Sequence, residues 1–495
     1  MMGAMGPLPA AGSASEWFPG PGLAPSGDTS GVTDTANIQG LLNLGSSASL
    51  QGGTFYVNCA GSFTANAQQV YGAGEGATVI ALVSSFSGSA AFSCAGYNDC
   101  GVRDLTIESA SGAWSTAPAA SGIEVAHSQR FRIRDVRGLN LNGYLAEIVS
   151  DPAGDSYYPV LDHVTASFCK AGAHLQGTSS SDHLMGAFLV NCTFEECEDA
   201  DGLFCEDVID VTCVNLECSP AASPTGSGTP GSGLHIKGDS NSHFYASFDL
   251  GGEVSGAASA NPAVLVEPSG SGSPSGIFMT GGVAEFGTPG ISMTAGSVTL
   301  SGVHIGSNGT YGLEMSGTGI VSVTGCIFDG NNSGGGTGYD LYWNSAGTGA
   351  KLLVQASIFN TPLGSGDGKV AAACSIGSGT GTSDFFNNRF NAATAFVSGG
   401  GFPTLARSNV GYNPVGYISS PPAVPASGTA QSNSEGADMT VVVTANSGST
   451  CGVEINGHTV ATIPASGVLA VPLAHSMSIT LTYTGTAPTW AWYGS

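Results

Sequence analysis

From about Phe92 to Val410, apolar and polar residues alternate in short runs, and each run stops at a cluster of Gly, Ser, Asn or Asp. Residues 102–107 (VRDLTI), 131–136 (FRIRDV), 297–300 (SVTL) and 319–323 (GIVSV) are examples. A period of two marks a strand with one buried face, and helical periodicity over more than one turn is almost absent from this span. Many short strands at even spacing suit a sandwich, a propeller or a solenoid, so the repeat length decides among them.

Two segments, 190–197 (VNCTFEEC) and 211–218 (VTCVNLEC), superpose without a gap at an interval of 21 residues. Further on, Asn308, Asn331, Asn360 and Asn391 close similar segments at intervals of 23, 29 and 31. Coils of about 20 to 30 residues with Asn or Gly at their corners predict an all-β fold, a right-handed parallel β-helix over roughly 75–412, because propeller blades need about 40 or more. The interval of 21 places Cys192 against Cys213 and Cys197 against Cys218 on adjacent coils. Strands about 4.8 Å apart bring such pairs within disulfide range, although stacked side chains point the same way, so both bridged and free inward thiols are open. The same interval stacks Glu196 on Glu217.

The ends read differently. Asp28 and Gly31-Val32-Thr33-Asp34-Thr35 open a short amphipathic helix with Ile38, Leu41 and Leu42 on one side, interrupted by Gly40. Gly52-Gly53-Thr54-Phe55-Tyr56-Val57 and the turn Gly72-Ala73-Gly74-Glu75-Gly76 follow. The glycine run is not a dinucleotide site, because a strand, Thr78 to Leu82, follows it where that site needs a helix. Helix, Gly-Gly-Thr strand and Gly-Ala-Gly turn resemble the opening of the pectate-lyase-like superfamily of right-handed β-helices, common in phage tailspikes. The resemblance implies a helix capping the open end of the solenoid. After the stiff segment Pro421 to Pro425, runs beginning at Met439, Val453, Thr459, Val468, Ser478 and Thr489 predict a small β-sandwich. The passages 409–416, 425–429 and 487–490 resemble the C-terminal module of β-helical tail proteins from phages of actinobacteria. The expected organisation is a flexible N-terminal or attachment segment over 1–26, a capped β-helix over 27–420 and a sandwich over 421–495.

Composition sharpens this picture. Charged residues are 9% of the 495 and Gly contributes 76, as crowded coils require. With 11 basic against 36 acidic residues the formal charge is −25, which repels nucleic acid and anionic lipid. No basic n-region with an apolar core opens the chain, and no stretch is long and apolar enough to cross a bilayer, so neither a secretory signal nor membrane insertion is expected. Twelve cysteines suit an oxidising setting that a virion component reaches by lysis.

Nine carboxylates lie between Glu195 and Glu217. Glu196 and Glu217 are the candidate catalytic pair of a glycosidase, and Asp199 and Asp201 candidate ligands for Ca²⁺, while a solvated acidic face is the plainer reading. Arg132 and Arg134 alternate onto one outward face beside Arg103, Arg130 and Arg137, so they suit a carboxylated glycan, an acidic subunit or ion pairs with Asp104 and Asp135. Tyr342 and Trp343, with Tyr157, Tyr158 and His243-Phe244-Tyr245, are candidates for stacking on sugar rings or at a subunit interface. The nine His show no zinc spacing. Taken with the resemblance, these features imply a homotrimeric tail fibre or tailspike of the virion, seated on other tail or baseplate proteins and binding a host cell-surface glycan. An extracellular polysaccharide hydrolase or lyase on the same scaffold is the alternative.

Overall fold

A computed structural model describes residues 22–494 apart from 151–153, 178–183, 222–227, 239–245, 251–252, 257–260, 270–271, 345–348, 365–367, 378–380, 392–394, 396–402, 411–415, 418–420, 434–437 and 475–476. Most of the expected attachment segment, the passage 411–415 and the run His243-Phe244-Tyr245 therefore lie outside the described residues.

Strand makes up 53% of the chain and helix 4%, and the strands wind into a parallel β-solenoid of about ten turns. Each coil lays one strand on each of three faces. On the first face Ile133 lies between Val102 of the preceding coil and Leu161 of the next. On the second, Val136 lies between Leu105 and Val164. The third carries Tyr144–Val149 between Ser121–Ala126 and Ala171–Gln176. Alternation sends every second residue inward, so the core is built of columns such as Val102, Ile133, Leu161, Leu189 and Cys213, all buried. Phe328, Phe359 and Phe390 form another, with ring centroids 4.7 Å apart at each step.

A single residue with positive φ turns the chain from the first face to the second on coil after coil: Asp104, Asp135, His163, Asn191 and Asn215, then Gly302, Gly325, Ala356, Asn387 and Ser408. Gly, Asn and Asp enter this left-handed conformation most readily, which explains their clustering at corners. The kink also breaks alternation, so the residue after it points inward, as Cys192, Leu216, Val303 and Cys326 do.

That corner corrects the expected register. Leu189 pairs with Cys213 and Phe194 with Cys218, an interval of 24 and not 21. Asn191 thus meets Asn215, whose Nδ2 donates to Asn191 Oδ1 at 2.9 Å. Cys192 takes the place that Leu216 has on the next coil, and Cys197 lies opposite Pro220. All four cysteines are buried free thiols. An interval of 21 would have set buried Phe194 against exposed Asn215, because a shift by an odd number exchanges inward and outward positions.

The helix Val32–Asn43 closes the first coils by burying Ile38 and Leu42 against Leu50, Phe55 and Phe63. Its start is held by Asp28, whose Oδ2 accepts the Thr33 N–H at 3.0 Å. Asp34, fully buried, accepts N–H groups of Ser26 at 2.8 Å and Tyr56 at 3.0 Å, which ties the helix to the Gly53–Val57 strand. Gly72 is needed for space, since a Cβ there would lie 2.3 Å from the Asp104 carbonyl oxygen.

At the C-terminal end two four-stranded antiparallel sheets enclose Val441, Val443, Val453, Leu473, Ile479, Leu481 and Trp492. The strand Gly416–Tyr417 pairs with Thr489–Gly494, so the sandwich draws in residues ahead of Pro421. The proline segment is fastened to it: Trp490 Nε1 donates to Pro422 O at 2.7 Å and Tyr483 Oη to Pro425 O at 2.8 Å.

Candidate functional site

The candidates named from sequence are not brought together. Glu196 sits at a bulge on the second face, and Glu217 lies opposite Thr193, so the two carboxylates are not stacked. Burial, with Glu198 and Glu195 nearby, still holds the Glu196 carboxyl above its ordinary value. Asp199 Oδ1 accepts the Thr229 N–H at 2.7 Å and Asp201 Oδ1 the Ser232 N–H at 2.6 Å, so each carboxylate braces a loop. Among the described residues no three His, Cys, Asp or Glu converge as metal ligands. Arg132 and Arg134 are exposed on the first face, as expected. Arg134 approaches Asp135 at 3.1 Å and Asp162 at 3.7 Å, and Arg130 grips Asp99 through Nε at 2.6 Å and Nη2 at 2.7 Å. Trp343 is buried, 3% exposed, and is a core residue with no surface for a sugar. Tyr342 does face outward, stacked on Tyr311 at 4.7 Å and near Tyr339 at 5.9 Å.

The dense chemistry lies on the third face. Successive strands place Glu124, Glu147, His174, Phe204 and His235 in one outward column, and the column continues through Leu265, Ser292 and Glu314 to Tyr342. Outward positions of a β-helix are ordinarily solvated, yet here rings cover rings. Tyr144 packs on His174 with centroids 5.0 Å apart, His174 on Phe204 at 4.7 Å and Phe204 on His235 at 4.5 Å. The result is a partly sheltered ladder on the outside of the solenoid.

Charged groups flank the ladder. His174 is 7% exposed, and its Nδ1 and Nε2 stand 3.9 Å from Glu147 Oε1 and from Glu206 Oε2. Those separations exceed hydrogen-bond length, so both ring nitrogens lack a hydrogen-bond partner. Glu147 also accepts from Ser121 Oγ at 3.1 Å, and His174 foremost holds its carboxyl below the ordinary value. Lys237 Nζ lies 2.8 Å from Glu206 Oε1, which pushes the ammonium pKa up. His235 is held between Asp201, 2.9 Å from Nδ1, and Glu267, 3.2 Å from Nε2. Burial opposes its protonation, but the two carboxylates together outweigh burial and raise its pKa. Burial, followed by the charges of Asp201, Glu147 and Glu206, pushes Tyr144 up to about 12.

Beside the ladder runs an open cleft of about 290 Å³ whose lining includes Ser89, Ser121, Asn142, Tyr144, Glu147 and Lys170. It offers hydroxyl, amide, carboxylate and ammonium groups next to aromatic faces, the mixture that holds a sugar by hydrogen bonds and stacking. The cleft also brings the Glu147 carboxylate and the Tyr144 phenol together, with the His174 ring packed against Tyr144. The sequence reading missed this site because its His residues were tested only for zinc spacing. The available signal was the coil length itself: His174, Phe204 and His235 recur at intervals of 30 and 31 residues.

The sequence matches no protein-family model. Comparison with curated proteins also finds no match. Solved structures do resemble the fold. The A-module of the Azotobacter vinelandii mannuronan C-5 epimerase AlgE6 superposes with a TM-score of 0.52 at 15% identity, covering 76% of this chain and 94% of that one. Tailspike protein 3 of bacteriophage CBA120 gives 0.44 at 13% identity over 80% of this chain and 62% of its own. The tailspike gp49 of Acinetobacter baumannii bacteriophage Fri1, a capsular polysaccharide depolymerase, gives 0.36 at 9% identity over 95% and 83%. The likeness to the epimerase module is one of fold, a parallel β-helix.

Proposed function

We propose that this protein is a tailspike-type β-helix of a phage virion that recognises a host-surface glycan along its third face. The observation that carries this reading is the outward ladder Tyr144, His174, Phe204 and His235 beside the cleft lined by Ser121, Asn142 and Lys170. A shape-matched protein partner would be met by apolar side chains; this surface offers aromatic faces edged by hydrogen-bonding groups, which suits a hydrated sugar chain. A likeness of fold to the mannuronan epimerase module, whose substrate is a polysaccharide, agrees with that choice. Assembly as a homotrimer on other tail proteins, in an extracellular virion, belongs to the same proposal and rests on the sequence resemblance of the two ends.

A second reading is favoured by one observation, the unbonded His174 ring held between Glu147 and Glu206. A cleft carboxylate backed by an imidazole is equipment for proton transfer to or from a bound sugar, so this face could also modify the glycan it binds. Affinity electrophoresis against cell-wall and capsular polysaccharides of a bacterial panel, with chromatography of released oligosaccharides, tests both. Retention lost in His174→Ala and Phe204→Ala without release establishes recognition. Release that needs Glu147 establishes the enzyme, and absence of retention across the panel overturns the proposal.

A further inference from the structure

The charge arrangement on the third face bears on what the glycan carries. Glu124, Glu147, Asp201, Glu206 and Glu267 face outward along the ladder, and the cations among them already have partners. Lys237 is bound to Glu206 at 2.8 Å, His235 to Asp201 and Glu267, and Lys170 approaches Asp199 at 3.7 Å. Ser89 Oγ donates to Glu124. A sugar lying in the cleft against Tyr144 therefore meets the Glu147 carboxylate and the hydroxyls of Ser121 and Ser89, while the one ammonium of the described lining, that of Lys170, is drawn toward Asp199. The exposed arginines Arg103, Arg132 and Arg134 belong to the first face.

The second observation is His174. Its ring is more than nine-tenths buried, both nitrogens are unbonded, and it is set between Glu206 and the cleft-lining Glu147. Both nitrogens are covered, so a sugar in the cleft meets the Glu147 carboxylate that flanks the ring and not the imidazole itself. A carboxylate brought into the cleft would lie beside Glu147, where like charges at close range repel.

Resting on the proposed glycan reading, we infer that this face selects a glycan without acidic sugars, and that it rejects polyuronates such as the mannuronan of the fold relative. Glu147 is the selecting residue in the cleft, and the net charge of −25 adds repulsion at longer range.

Matched pairs of polymers test it: alginate against carboxyl-reduced alginate, and each acidic polysaccharide of the bacterial panel against its carboxyl-reduced form, at low ionic strength. The expected result is that the reduced member of at least one pair is retained at least tenfold more strongly than its acidic parent. Glu147→Gln should narrow that gap by strengthening retention of the parent, a gain that misfolding cannot produce. Retention of an acidic parent as strong as that of its reduced form, abolished by His174→Ala, overturns the inference and leaves the glycan reading standing. No retention of any member of any pair overturns both.

Discussion

Asn308 and Asn331, both fully buried, stand on successive coils, and Asn308 Nδ2 donates to Asn331 Oδ1 at 2.8 Å. Asn331 Nδ2 then reaches Asp340 Oδ1 at 2.7 Å and the Ile305 carbonyl at 3.2 Å, and Thr361 Oγ1 donates to the same Asp340 oxygen. A column of amides inside the solenoid thus ends on a carboxyl group that is itself fully buried. Asn331→Ala leaves an amide and a carboxyl without their shared partner, and thermal or urea unfolding should show a loss of about 2–4 kcal/mol.

Burial pushes the Asp340 carboxyl from an ordinary 3.8 up to about 7, against the lowering effect of Asn331 and Thr361. Between those values the folded chain keeps a proton that the unfolded chain releases. The contribution is therefore full below the lower value and is lost as pH rises through about 7, a change on the order of 4 kcal/mol. Asp340→Asn, which keeps the shape and removes the titration, should flatten the stability profile of this window in urea titrations at successive pH values.

His235 should titrate above 6.5, because Asp201 and Glu267 together outweigh its burial. Its contribution to stability is present below 6.5 and fades as pH rises through the folded value. Following the imidazole by NMR checks the direction: a value at or below 6.5 would contradict the pairing. His235→Gln should remove that part of the pH dependence.

All twelve cysteines are free thiols and only Cys59 is exposed. A chromogenic disulfide reagent should find about one reactive thiol in the native protein and twelve after denaturation without reductant. Fewer than twelve in the denatured state would reveal a bridge. Buried thiols such as Cys192 react slowly because burial pushes their pKa up to about 12 and covers them.

Two corner glycines should respond differently to alanine. Gly282 has φ of 64° and a Cβ there would lie 1.2 Å from the Leu250 carbonyl oxygen, whereas Gly325 has the same φ with open space around it. Gly325→Ala should cost about 1 kcal/mol from the left-handed conformation alone, and Gly282→Ala about 3 kcal/mol or more, as seen in melting temperature.

The inward columns were legible in the sequence because a period of two is a local property: residues 102–107 and 131–136 show it without reference to anything distant. Corner residues were legible for the same reason, since Asn191 and Asn215 declare their conformation by type. The inter-coil register was not. The ungapped match of Cys192 with Cys213 is a likeness of letters, and the left-handed residue at each corner resets which positions point inward, so packing selects an interval of 24. Coil length then varies along the chain, from 21 residues between Val283 and His304 to 36 between Cys218 and Val254.

By itself, then, the sequence determined the solenoid, its helical cap, its sandwich and the burial of Cys192, Cys197, Cys213 and Cys218, because alternation and turn chemistry act over a few residues. Only the tertiary structure decided which side chains share the outer surface. Tyr144, His174, Phe204 and His235 are separated by whole coils, and they become neighbours because three-sided winding returns the chain to the same face about 4.8 Å further along. The same winding sent Glu196 and Glu217 out of register and carried Trp343 into the core.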